Sequence, residues 1–259
     1  MPIVDSHSHL YFEHFSADLK ETLRRARDAG VVGFVNVGTD PVTTSLCFKL
    51  AEAEPDIFPT AGIHPNDAAT TSEEDWATVE AFAHHPRCVG IGETGLDWFR
   101  SGDARDVQMA AFRRQLDWAH RLELPVVIHC RDAHDDTYAI LEDLRRPVRG
   151  VMHCFSGTPE DASRAVALGL HVSYAGPVSY KKNDVLRASL ARVPDDRLLV
   201  ETDCPFLPPE GFRGKRNEPS YLSVTIDAIA RTLGRTPRDI AASTARNAID
   251  LFRLPVTLP

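Results

Sequence analysis

The feature that most limits the fold is an alternation that runs the length of the chain. Short β-branched, apolar runs are separated by longer stretches with helical periodicity. Strand candidates lie at residues 3–5, 31–37, 87–91, 125–129, 150–153, 171–174 and 198–201, with a further one before Gly62. Helical candidates cover residues 17–29, 72–84, 107–121, 135–144 and 159–168. A last helix is signalled by Thr236 as N-cap, Pro237 in the first turn, and an apolar face through Ile240, Ile249, Leu251 and Phe252. Near-continuous apolar strands alternating with amphipathic helices predict parallel strands covered by helices. About eight such units, with no linker or repeat between them, predict an α/β fold: a single (β/α)8 barrel of the TIM type over residues 1–259. A doubly wound sheet is the alternative, weakened by the absence of a glycine-rich phosphate loop after the first strand.

A barrel brings the C-terminal ends of its strands to one mouth, and that is where the chemistry-bearing residues fall. Asp5-x-His7-x-His9 follows the first strand, and Gly62-Ile63-His64-Pro65 the third. Glu93 ends the fourth, His129 the fifth, His153 the sixth, and Glu201-Thr202-Asp203 the eighth. Histidine, glutamate and aspartate are ligand types for divalent cations. Each has an ordinary reading by itself. His-x-His is common on surfaces, Glu93 could pair with an arginine, His129 or His153 could be a satisfied core histidine, and Asp203 could cap the turn before Pro205. Their convergence on one mouth is what predicts a metal site. The spacing of His7 and His9 adds to it, since residues two apart on an extended segment share a face.

The chain carries 43% hydrophobic residues and a net charge of −8. That supports a sizeable core and argues against a generic basic nucleic-acid coat protein. No apolar run approaches the roughly 20 residues of a membrane span, and the first residues lack the pattern of a signal peptide. Five cysteines, Cys47, Cys88, Cys130, Cys154 and Cys204, form no C-x-x-C pair. They read as reduced thiols of a cytoplasmic protein. Cys130 and Cys154 each follow a proposed ligand, so alternation along a strand should turn them away from the site, towards the helices.

The series Asp5-Ser6-His7-Ser8-His9, Gly62-Ile63-His64-Pro65, Gly92-Glu93-Thr94-Gly95-Leu96-Asp97, His129-Cys130-Arg131, His153-Cys154-Phe155-Ser156-Gly157, Glu201-Thr202-Asp203-Cys204-Pro205 and Arg216-Asn217-Glu218-Pro219 closely resembles the TatD family of amidohydrolase-type metallohydrolase barrels. The match runs in order through nearly the whole chain. Thr94 departs from it, standing where an aliphatic residue is expected. The resemblance implies two divalent metal ions (Mg2+, Mn2+ or Zn2+). His7, His9, Glu93 and Asp203 would hold the first, and Glu93, His129 and His153 the second, with Glu93 bridging. It further implies that Glu93 and Asp203 are catalytic, Asp203 taking the proton from a metal-activated water.

Family members are described as metal-dependent deoxyribonucleases that trim from a 3′ end. The resemblance thus implies a 3′–5′ exodeoxyribonuclease whose partner is DNA, single strands or 3′ ends, with no membrane and no obligate protein partner. Candidate phosphate contacts are His64, Arg131 and Ser156 beside the ligands, and Arg213, Lys215 and Arg216 in a basic, glycine-rich loop after the eighth strand. Lys181-Lys182 reads as a solvated pair. Trp98-Phe99 reads either as a base-stacking platform or as packing over the rim. Two other classes stay open. One is a metal-dependent amide or ester hydrolase, such as an aminoacyl-tRNA deacylase or lactonase-like enzyme. The other is a noncatalytic metal-stabilised binding protein.

Overall fold

The computed structural model describes residues 1–100 and 104–258. Eight parallel strands form one sheet in sequence order. They are β1 (Ile3–Ser8), β2 (Val31–Asn36), β3 (Ile57–Ala61), β4 (Gly90–Asp97), β5 (Val126–Arg131), β6 (Gly150–Met152), β7 (His171–Tyr174) and β8 (Leu198–Val200). Helices α1 (Leu19–Asp28), α2 (Pro41–Ala53), α3 (Glu73–Ala83), α4 (Arg105–Arg121), α5 (His134–Asp143), α6 (Pro159–Ala167), α7 (Asp184–Ser189), α8 (Leu222–Leu233) and α9 (Pro237–Phe252) follow the strands. The expected barrel architecture is present.

Local sequence starts several of these helices. Asp40, Ser72 and Thr158 close capping boxes at α2, α3 and α6, and Thr236 caps α9 as expected. Periodicity alone leaves α2, α7 and α8 unassigned. The buried face of α2 is Thr44, Cys47, Phe48 and Ala51, and its two small polarisable residues blur the apolar stripe.

The strands place the site by alternation. Val4, Val35, Val127, Val151 and Leu199 point to one side, where they pack with Ala245, Ala248, Leu251 and Phe252 of α9. His129 comes two residues later on β5 and so continues the same inward series, while His153 and Glu201 stand one residue past the ends of β6 and β8. The site therefore stands on an apolar plug closed below by α9.

β1 and β8 do not run as a full ladder; the ring closes just beyond β8. Ser8 bridges Cys204, His9 N–H donates to Cys204 O at 2.9 Å, and Asp203 N–H donates to His7 O at 3.0 Å. The closing bonds thus set Asp203 beside the histidine pair. Asp5 secures the same seam. Its buried carboxyl accepts from Thr202 N at 2.9 Å and Thr202 Oγ1 at 2.6 Å.

One strand differs from expectation. β4 begins at Gly90 rather than residue 87 and continues to Asp97, so Glu93 lies inside it and not at its end. Gly90, Gly92 and Gly95 conceal the strand, since glycine is depleted in strands. The packing explains two of the glycines beside Glu93: a Cβ on Gly62 would collide with the Gly92 backbone. Thr94, the departure from the family pattern, accepts from Gln115 Nε2 at 2.7 Å and is buried.

Away from the mouth, His171 opens β7, where burial first and the Arg197 charge second push its pKa down from 6.5 to about 4. A histidine whose folded pKa lies below its unfolded value stays neutral where the unfolded chain takes up a proton. Its contribution is intact above pH 6.5 and is lost as the pH falls towards 4, by about 3 kcal/mol at the lower end. His171→Gln should remove about that much of the acid sensitivity in urea unfolding between those pH values. Equal pH slopes for the two proteins would show that His171 plays no such part.

Candidate active site

Glu93 stands at the centre, buried. Its Oε1 is 2.8 Å from His129 Nδ1, 2.9 Å from His153 Nε2 and 3.4 Å from His64 Nε2. Its Oε2 is 3.4 Å from His7 Nε2 and 3.6 Å from His9 Nε2. Asp203 Oδ1 reaches the same two rings at 3.7 and 3.4 Å. The six residues expected as ligands are therefore in one cluster.

The far side of each imidazole fixes where its proton sits. His9 Nδ1 lies 3.0 Å from Val37 O, which can only accept, so Nδ1 carries the hydrogen and Nε2 turns a lone pair to the cluster. His129 Nε2 lies 3.2 Å from Asp97 Oδ2, which leaves the lone pair on Nδ1, facing Glu93. His153 Nδ1 lies 3.2 Å from Glu201 Oε1, which leaves the lone pair on Nε2, again facing Glu93. Facing carboxylate oxygens at these distances, each ring either takes up a second proton or shares a cation with the carboxylate, and a divalent cation lets the rings stay neutral. This is the outer shell of a metal site, in which an acceptor behind each histidine fixes its tautomer. The donor set therefore fits divalent ions.

Asp97 and Glu201 are the functional residues that the sequence reading did not single out. Asp97 Oδ1 also accepts from Phe99 N–H at 2.9 Å and Arg100 N–H at 2.8 Å, which holds it rigid behind His129. Their signal was spacing: Asp97 lies four residues after Glu93, and Glu201 two before Asp203.

Three overlapping triads among the described residues could each hold an ion: His7–His153–Asp203, His7–His9–Glu93 and His64–Glu93–His129. The third puts His64 where the resemblance implied His153. Tautomer chemistry favours His153. His64 Nδ1 accepts from Asn66 N–H at 3.1 Å, so its Nε2 carries a hydrogen and is a donor, not a ligand.

Carboxylates and rings stabilise one another's charge. Burial disfavours the protonated rings, but Asp203 and Glu93 raise His9, Asp97 and Glu93 raise His129, and Glu93 and Glu201 raise His153. A divalent ion would therefore have to displace protons to bind. Burial works to raise the Glu93 carboxyl, but the surrounding His153, His64 and His129 outweigh it and hold it well below the usual carboxylate range. Burial likewise opposes the charge of Asp203, yet His9 and His7 bring its carboxyl below its ordinary range. Both are ionised at neutral pH.

The cysteines divide. Cys130 faces α5 as expected, its Sγ 3.5 Å from Thr137 Oγ1, and burial pushes its thiol up to about 12. Cys154 corrects the expectation. β6 ends at Met152, and Cys154 sits in a turn with φ of 43°. Strand alternation no longer applies there, and Asp203, Glu201 and Glu93 are among its charged neighbours. Burial, then those carboxylates, raise its thiol well above the usual range, so it remains an uncharged thiol.

A family model described as "TatD related DNase" matches residues 4–253. The chain belongs to that family. It is similar to a Bacillus subtilis (strain 168) protein described as the metal-dependent hydrolase YabD, 40% identical over 253 residues, covering 97% of this chain and 99% of that one. It is similar also to the 3′-5′ ssDNA/RNA exonuclease TatD of Pantoea vagans (strain C9-1), 39% identical over 247 residues, with 93% and 95% covered. The crystal structure of YJJV, a TatD homolog from Escherichia coli K12, superposes with a TM-score of 0.92 at 30% identity, covering 98% of both chains.

Around the metal cluster, this TatD-family barrel presents the other candidate contacts unevenly. Arg131 is exposed and lays its guanidinium 3.9 Å from the Phe99 ring, with no carboxylate partner among the described residues. Phe99 itself is 63% exposed, which leaves its other face open to a base. Trp98 is engaged, its Nε1–H donating to Asp136 at 2.9 Å under the Arg105 guanidinium. Ser156 is exposed in the turn after β6. Arg213 and Lys215 are exposed in the loop after β8.

Arg216 corrects the expectation of a phosphate contact. It binds Asp18 through both terminal nitrogens, at 2.7 and 2.8 Å, lies 3.4 Å from Glu218, and stacks on Phe15. Its charge is already compensated. Arg216 and Arg25, which also grips Glu218, clasp the loop to α1. Asn217 completes the clasp by donating to Thr202 O at 2.8 Å and Phe206 O at 2.7 Å on either side of Asp203.

Proposed function

We propose that the protein is a metal-dependent 3′–5′ exodeoxyribonuclease that hydrolyses the phosphodiester at the end of a single strand. The observation that carries the hydrolase is the convergence of ring nitrogens of His9, His129 and His153 on Glu93 and Asp203, each ring backed by an acceptor on its far side. The substrate rests on relatives that share about two-fifths of the residues and are described as 3′-5′ ssDNA/RNA exonucleases. In this reading His7, His9, Glu93 and Asp203 hold one ion, and Glu93, His129 and His153 the other. Bound there, two divalent ions would neutralise phosphate charge and lower the pKa of a water to near neutrality.

The chain's own groups do the rest. His64 presents Nε2–H to a nonbridging phosphate oxygen, and Arg131 and Ser156 stand where they can add to it. Asp203 is the more open of the two central carboxylates, its side chain 13% exposed against 5% for Glu93. It faces the mouth, where water and substrate arrive, and takes the water's proton. Phe99, steadied by Arg131, offers a face to the terminal base.

Among the described residues no helix is long and apolar enough to cross a membrane. All five cysteines are free, which supports a cytoplasmic setting.

Chelation should abolish release of nucleotides from a 3′-labelled single strand, and Mg2+, Mn2+ or Zn2+ should restore it. Activity should fall as the pH drops into the histidine range, because a ligating histidine must be neutral to bind. Burial lowers the proton affinity of His9, His129 and His153, but the carboxylates around them outweigh it and raise it, so the fall should begin early. Full activity after exhaustive chelation, with metal loss confirmed by elemental analysis, would overturn the metal role. Intact DNA alongside cleavage of an ester or amide would overturn the nuclease and leave the hydrolase standing.

A further inference from the structure

The loops after β7 and β8 enclose a groove to which the chemistry above gives no role. Tyr180, Lys181, Lys182 and Asn183 from the first loop face Glu210 and Arg213 from the second across a cavity of about 400 Å3. The groove is built, not incidental. The Arg213 guanidinium lies 4.8 Å over the Tyr180 ring, the Tyr180 hydroxyl donates to Pro208 O at 2.8 Å, and Glu210 N–H donates to Ser179 Oγ at 2.8 Å. Arg187 holds the first loop from below through Val178 O at 3.1 Å and Lys181 O at 3.0 Å.

Charge adds to the shape. Several arginines, among them Arg25, Arg27, Arg164 and Arg216, are held by carboxylates of the chain. Lys181, Lys182 and Arg213 have no such partner among the described residues, and all three are exposed. Against them stands only Glu210, so three cations and one anion leave a local charge of +2 on a chain whose net charge is −8. Uncompensated cations gathered on an otherwise acidic surface are the footprint of a phosphate-bearing ligand. The arginine–tyrosine stack adds a flat face on which a base can lie.

Position identifies the ligand further. In a ring of eight strands, the β7 and β8 loops adjoin Asp203 and stand opposite the β3 and β4 loops that carry His64 and Phe99. The loop that carries Glu210 and Arg213 is also tied back to the site, Asn217 donating to Thr202 O at 2.8 Å beside Asp203. A strand with its scissile phosphate at the Glu93 cluster has two sides to accommodate. The terminal nucleoside fits the Phe99–Arg131 side, and the remaining strand must leave across the ring.

We propose that the groove between residues 180–183 and residues 210–213 holds the backbone of a single strand a nucleotide or two beyond the scissile phosphate, Lys181, Lys182 and Arg213 meeting its phosphates. This rests on the exonuclease reading and adds to it a length preference and an exit path. Lys181 and Lys182, read from sequence as a solvated pair, become substrate contacts.

The test compares the full-length, metal-loaded protein with K181A/K182A, with R213A, and with K20A/K49A as a charge-matched control on α1 and α2. The readout is KM for a dinucleotide against KM for a single strand of about ten nucleotides. The unaltered protein and the control should favour the longer strand. K181A/K182A should raise KM for the longer strand roughly three- to tenfold, with kcat held, and largely erase the length preference. The salt dependence of binding should flatten by about 1.4 units of slope for two lost single-strand contacts. R213A should act in the same direction. A length-independent KM in the unaltered protein, or K181A/K182A behaving as the control, would overturn the groove while leaving the exonuclease intact. Failure of the unaltered protein to cleave either DNA would overturn both.

Discussion

Glu93→Ala should strip the protein of metal and of activity together. Its two oxygens serve opposite sides of the cluster, Oε1 facing His129 and His153 while Oε2 faces His7 and His9. Without that carboxylate, one set of histidines loses its only close anionic partner other than Asp97 or Glu201, which lie behind the rings. Metal content should fall from about two ions per chain to less than one, and kcat/KM should drop by at least about 1,000-fold. Cys130→Ser and Cys154→Ser are the instructive comparison. Cys130 faces α5, and Cys154, although close to the carboxylates, keeps its proton and belongs to none of the ligand triads. Both serine variants should retain their metal. Elemental analysis of the three purified proteins, with circular dichroism to confirm folding, checks this. Metal lost from a cysteine variant but kept by Glu93→Ala would reverse the ligand assignment.

That comparison also shows how far the sequence could be read. Alternation along β5 and the turn of Cys130 towards α5 were legible because a strand of six residues obeys period two. The same rule failed at Cys154, because β6 is only three residues long and the chain turns immediately after it. The ligand set was legible as residue types at strand ends. The identity of the proton on each ring was not, since it depends on acceptors such as Val37 O that no motif displays. Arg216 misled for a related reason. A basic loop looks the same in sequence whether its cations face solvent or are matched by Asp18, nearly 200 positions away along the chain. Lys181 and Lys182 are exposed, as the sequence reading has them; what no motif displays is that Arg213, on a different loop, lines the same groove. Long-range pairing thus decided which charges were available, and pairing at that range is set by the fold.

Asp203→Asn should separate proton transfer from metal binding. The amide keeps the size of the carboxylate and one oxygen acceptor, so the seam that positions residue 203, from its N–H to His7 O, stays formed. What disappears is the negative charge and the capacity to accept a proton from water. His129, His153 and Glu93 do not touch residue 203 directly in the ion pairs described, so the ion assigned to them should remain. The ion assigned to His7 and His9 should be held more weakly, and excess metal should restore its occupancy. At saturating metal, kcat should still be lower by about 1,000-fold, within the range expected for loss of a positioned acid–base group, while KM changes little. The pH profile adds a second check. Asp203 is held below its ordinary range by the histidines around it, so it is already ionised across the working range and does not supply the acidic limb. That limb belongs to the ligating histidines, and it should persist in the residual activity of Asp203→Asn. Recovery of full kcat on adding metal would show that Asp203 is a ligand only and that the proton goes elsewhere.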